Sequence, residues 1–120
     1  MAKLFVSCPM RGRTERQIHA TINQLCDIAE AIFNEKFEVI DTWIEENAPA
    51  SNHEQLYYLG KSIQLMSEAD AFIGVYDDQK EFAGCIVENY TAKLYDIPQY
   101  LVNIAYVAPD VINRRLAETY

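Results

Sequence analysis

The chain has 120 residues, half of them hydrophobic, and a formal charge of -8 from 10 basic and 18 acidic residues. That length is one domain's worth and suffices to bury a core without disulfide staples. The acidic balance repels a polyanionic backbone and leaves too few cations to line a groove along DNA or RNA, so polymeric nucleic acid is excluded as a partner. No apolar run approaches the roughly 20 residues that cross a bilayer, so no membrane partner is expected.

Residues 4–7 (LFVS) read as a short buried strand, and Pro9 and Gly12 mark the turn after it. Ile18, Ile22, Leu25, Ile28 or Ala29, and Ile32 then recur at helical spacing behind Thr14, a plausible cap. Phe37–Trp43 (FEVIDTW) is the second expected strand, and Glu45–Asn52 (EENAPASN) is loop by its Asn, Pro and Ser content. A helix is expected from about His53 to Ser67 with Leu56, Leu59, Ile63 and Met66 inward. Ala71–Tyr76 is a third strand, followed by a turn (DDQKEFAG), a helix opened by Gly84 and ending near Asp96, a fourth strand over Gln99–Tyr106, and a terminal helix from Pro109.

Strands alternating with helices imply an α/β fold, a three-layer sandwich around a mainly parallel sheet of four or five strands. In such open sheets ligands collect beyond the carboxyl ends of the strands, where residues 8–14, 41–52 and 76–88 should converge.

Three of the ten basic residues, Arg11, Arg13 and Arg16, fall where the first helix begins. A helix N-terminus carries partial positive charge, so arginines there are unfavourable unless a bound anion or a carboxylate stands opposite. Two readings stay open: a phosphate received at the Gly12 turn, or arginines that are solvated or paired with Glu15 and Asp27. The second feature is "GCIVENYTAKLYDIP", residues 84–98, which sets Glu88 about one turn into its helix near the mouth of the sheet. On spacing alone a first-turn glutamate favoured by the helix dipole is the simpler reading. Cys8, Cys26 and Cys85 are odd in number and lack CxxC spacing, and no apolar segment precedes Lys3. These features fit a reducing, cytoplasmic setting without structural zinc. His19 and His53 lack a second ligand at suitable spacing, so no metal site and no cofactor are expected.

Taken together, "KLFVSCPMRGRT", "YYLGKSIQLMSEADAFIGV" and "GCIVENYTAKLYDIP" resemble the nucleoside 2-deoxyribosyltransferase-like superfamily, most closely an uncharacterised bacterial and phage branch, over residues 3–102. The resemblance implies a flavodoxin-like, Rossmann-like fold and a homodimer or higher oligomer. It implies cleavage or exchange of the N-glycosidic bond of a small nucleoside or nucleoside 5'-monophosphate, with Glu88 as nucleophile. It also implies a phosphate at Arg11 and Gly12, with Ser7, Cys8, Pro9 and Met10 lining sugar and base.

The chain departs from the pattern in two places. Ser62 stands where the family's partner aspartate assists the leaving base, and a serine cannot donate a proton with carboxylic strength. Phe82 stands where many members carry an aspartate or a phosphate-binding serine. Asp41, Asp77, Asp78 and Glu81 are candidate replacement acids at the correct edge, with Trp43 and Tyr76 beside them and Gly84 at the turn. Asp70 precedes the third strand and is expected to be structural. The alternative to an enzyme is a protein on the same fold that senses or sequesters a nucleotide without turning it over; a pure interaction module is a third option. Tyr120 offers a C-terminal carboxylate to a neighbouring subunit if the chain oligomerises.

Overall fold

The computed structural model describes residues 1–43 and 52–119. The loop expected over Glu45–Asn52 therefore lies outside the described residues except for Asn52, and Tyr120 lies outside them too. The first strand, β1 (Ala2–Val6), leads through a turn to α1 (Glu15–Phe33), and β2 (Phe37–Val39) follows. Helix α2 (Glu54–Met66) precedes β3 (Ala71–Tyr76), and α3 (Ala83–Leu94) precedes β4 (Gln99–Asn103). A single helical turn, α4 (Ile104–Val107), and α5 (Pro109–Thr119) complete the order.

The four strands form one parallel sheet in the order β2-β1-β3-β4. Side chains alternate across it as strand geometry requires. Leu4, Val6, Ala71, Ile73 and Val75 enter one core with Ile18, Leu25 and Ala29 of α1, Ile104 and Val107 of α4, and Val111 of α5. On the opposite face Phe5 and Phe72 stack with ring centroids 5.5 Å apart, against Met66 of α2 and Ala92 of α3. The expected three-layer sandwich is the observed one, with four strands among the described residues. No described helix is long and apolar enough to cross a membrane.

Helix α1 begins where its capping signal stands. The Gln17 amide donates to Thr14 Oγ1 at 3.1 Å and the Thr14 amide to Gln17 Oε1 at 2.9 Å, a reciprocal box that satisfies two otherwise unpaired donors. Asn34 closes it in the left-handed region at φ 52. Two strands are shorter than expected. Pairing along β2 stops at Val39, after which the Ile40 amide binds Leu4 O and the chain leaves the sheet. Strand β4 stops because the Asn103 side chain accepts from the Ala105 amide at 2.9 Å and caps α4, turning Ile104 and Val107 into the core at helical spacing. In α2, Met66 is buried and Leu59 and Ile63 are half-buried, whereas Leu56, in the first turn, is exposed.

The chain passes from β1 to β2 through α1 on one face and from β2 to β3 through α2 on the other. The loops after β1 and β3, neighbouring strands, therefore diverge to opposite faces and open a crevice, the switch point at which ligands gather in this architecture. Gly74, near the end of β3, lets α3 close on that crevice, because a Cβ there would meet Asn89 Oδ1 and come within 2.9 Å of the Phe72 ring. The space is used: Asn89 Nδ2 donates to Val75 O at 2.7 Å and caps the end of β3. Gly74→Ala is expected to lower stability by about 1–3 kcal/mol through overpacking, read as a lower denaturation midpoint in urea at unchanged slope.

Candidate functional site

Glu88 stands at the crevice. It is 9% exposed, on the inward stripe of α3 with Cys85 and Ala92, and its Oε1 accepts from the Ser7 hydroxyl at 3.0 Å. Ser7 follows the last residue of β1, and its amide donates to Ile73 O at 2.9 Å, so the sheet itself fixes the hydroxyl. Burial pushes the Glu88 carboxyl up to about 7, against the Ser7 bond, which favours the charged form. The group is thus divided between acid and carboxylate near neutral pH, the state in which a carboxyl can serve proton transfer or nucleophilic attack.

Two thiols flank this pair, and both are inert. Burial pushes Cys85 up to about 12 and Cys8 up to about 11, so neither holds an appreciable thiolate at neutral pH. All three cysteines are free. Among the described residues no cluster of three His, Cys, Asp or Glu side chains could hold a metal ion.

The arginines divide by role. Arg13 is structural: its side chain is 1% exposed and makes a two-pronged bond to Asp110 of α5 at 2.9 and 3.0 Å. The same guanidinium binds Pro9 O at 2.8 Å and Thr21 Oγ1 at 2.7 Å, so the turn after β1 is wrapped around it. Its partner is Asp110, not the Glu15 or Asp27 considered from sequence. Arg16 is exposed. Arg11, with 59% of its side chain exposed, points across the crevice: it donates to Glu81 O at 3.0 Å and lies over the Phe82 ring at 5.7 Å from the centroid. Phe82 thus forms the floor under Arg11.

The remaining expected residues are distributed as follows. Cys8 and Pro9 are buried, which leaves Met10, Arg11 and Gly12 as the exposed part of the first turn. Gly12 has φ 74, a conformation that glycine adopts without strain. Gly84 lies one residue inside α3 rather than opening it, and a Cβ there would meet nothing within 4 Å. Ser62 is half-buried, one turn before Met66 on the inward side of α2. Asp41 is exposed, and its Oδ1 accepts from the Trp43 amide at 2.9 Å. Trp43 itself stacks against His19 of α1 at 6.4 Å between ring centroids, away from Glu88. Asp70 is structural as expected: its Oδ2 accepts from the Lys3 amide at 2.8 Å at the amino edge of the sheet.

Asp77 and Glu81 are bound to α5. Arg115 binds both carboxylates and Arg114 binds Glu81. Burial raises the Asp77 carboxyl, but bonds from Arg115 and from the Gln79 and Glu81 amides outweigh it and hold the group below the usual carboxylate range. Neither Arg114 nor Arg115 was singled out from sequence, although two consecutive arginines in an acidic chain are a visible signal. A cavity of about 390 Å³ opens between α3 and β4, lined by Tyr76, Asp77, Phe82, Cys85, Asn89 and Leu101 among others. Tyr76 and Asp77 are the expected ligand residues that it takes in; Glu88 and Arg11 do not line it, and Cys85 and Phe82 stand on its wall.

No protein family, curated protein or solved structure matches the chain.

The raised Glu88 carboxyl has a consequence for stability. Between its ordinary 4.5 and about 7 the folded chain binds more protons than the unfolded one, so stability contributed at this position falls as pH rises through that window. Glu88→Gln should remove this dependence and gain on the order of 3 kcal/mol over wild type above pH 8, measured by urea denaturation at pH 5 and pH 8. A wild-type Glu88 carboxyl titrating near 4.5 by NMR would contradict it.

Proposed function

We propose that the protein cleaves or exchanges the N-glycosidic bond of a small nucleoside or nucleoside 5'-monophosphate, with Glu88 as the nucleophile. The observation that carries the reading is a carboxyl buried at the crevice between β1 and β3, oriented by a hydroxyl that the sheet holds in place. Cleavage at the anomeric carbon builds oxocarbenium character, which an adjacent carboxylate stabilises or traps. In the proposed step the ionised Glu88 oxygen bonds to the anomeric carbon and the C–N pair leaves with the base nitrogen, which takes a proton from solvent. Water or an acceptor base then displaces the carboxylate. Ser7, donating to the Glu88 oxygen, holds the carboxylate in register. At the other end of the substrate, the turn carrying Arg11 and Gly12 is suited to a 5'-phosphate. Phe82, the residue before α3, lies under Arg11, and Glu88 is carried by the first half of the helix that follows. The family resemblance also makes the active unit a homodimer or higher oligomer.

A second reading, nucleotide binding without turnover, is favoured by one feature: Ser62 supplies no carboxylic acid to the leaving base, and Asp41, Asp77 and Glu81 are engaged elsewhere.

Incubation with a panel of ribo- and deoxyribonucleoside 5'-monophosphates, followed by chromatography of the free base, separates the two. The enzyme reading expects base release that rises with pH through about 7 as Glu88 ionises, and a loss of at least a hundredfold in Glu88→Gln. Absence of release across the panel, with a nucleotide-dependent rise in melting temperature, would favour the binder.

A further inference from the structure

Three guanidinium groups, from two elements far apart in sequence, converge on one carboxylate. Glu81 Oε2 lies 2.7 Å from Arg115 Nη2, its Oε1 is bound by Arg114 Nη2, and Arg11 Nη2 stands off at 3.8 Å. Asp77, with 6% of its side chain exposed, holds Arg115 from the other side. Among the described residues three guanidinium groups meet two carboxylates here, in a chain whose formal charge is -8. The Gly12 backbone completes the enclosure: a Cβ on it would collide with Arg114 Nη1, so the turn after β1 lies directly against the guanidinium of α5.

The geometry is that of an anion site with an undersized occupant. A carboxylate has two oxygens, and Glu81 commits them to Arg114 and Arg115; Arg11 is left at 3.8 Å with its short bond going to a backbone carbonyl instead. A phosphomonoester presents three oxygens and about two negative charges, enough to engage all three guanidinium groups. Glu81 is in the turn before α3 and partly exposed, so its side chain can swing into solvent, whereas the buried Asp77 would keep Arg115 in place.

We propose that Arg11, Arg114 and Arg115 with the Gly12 turn form a phosphomonoester site, and that the Glu81 carboxylate is its built-in competitor, expelled when the phosphate enters. The proposal rests on the reading of the Arg11 turn as the phosphate end of the ligand and adds to it the two arginines of α5 and the gating carboxylate. The competing account makes Glu81 a permanent strut that fastens α5 to the sheet.

Isothermal titration of the full chain with ribose 5-phosphate, with ribose as the uncharged control, tests it without any glycosidic bond to cleave. Wild type should bind the phosphate sugar and not ribose, more weakly as salt is added. Glu81→Gln should tighten binding about tenfold, a gain that loosened folding cannot produce, while Arg114→Ala and Arg11→Ala should each weaken it at least tenfold. If Arg11→Ala weakens binding but Glu81→Gln fails to tighten it and Arg114→Ala leaves it unchanged, the gate and the α5 arginines are wrong and the Arg11 reading stands. If Arg11→Ala has no effect, or neither wild type nor Glu81→Gln binds, both fall. Should Arg114→Ala melt early, the Glu81→Gln arm decides alone.

Discussion

The ionic contacts between α5 and the two crevice turns organise this molecule. At a switch point the loops after β1 and β3 leave toward opposite faces. Helix α5 reinforces the direct bond from Arg11 to Glu81 O between them: Asp110 grips Arg13 in the first turn, while Arg114 and Arg115 grip Glu81 and Asp77 in the second. The Arg13 pair is almost fully buried on the arginine side and satisfied by additional oxygens, the condition under which such a pair holds geometry rather than merely costing desolvation. The positions of Arg11, Gly12 and Phe82 around the crevice follow from that bracing.

How much of this was legible in the chain depends on the range of the interaction. Thr14 and Gln17 announce the start of α1 because a capping box is made by residues three apart. The alternation of strands and helices announces the sandwich. The ends of β2 and β4 were not legible, since FEVIDTW and QYLVNIAY are short apolar runs whose period is ambiguous, and only partner length and the Asn103 cap decide where pairing stops. Nor was the partner of Arg13, because Asp110 lies 97 residues away and nearer carboxylates compete on paper.

The candidate site divides in the same way. The turn and helix that deliver Glu88 were readable from the third motif, but whether its carboxyl faces water or the core depends on how closely α3 packs over β3, which Gly74 and Asn89 set. Trp43 illustrates the opposite outcome: it lies just beyond the second strand near the expected ligand side, yet the chain's exit after Ile40 carries it to His19 on α1. Among the candidate acids, Asp77 and Glu81 are neither solvated loop charges nor free proton donors. They are the counter-charges of two arginines that chain position alone does not connect to them.

Helix α5 follows all four strands in the chain. Without it the second turn would present Asp77 and Glu81 without Arg114 and Arg115, so the charge at this mouth of the sheet is set by an element that takes no part in the sheet.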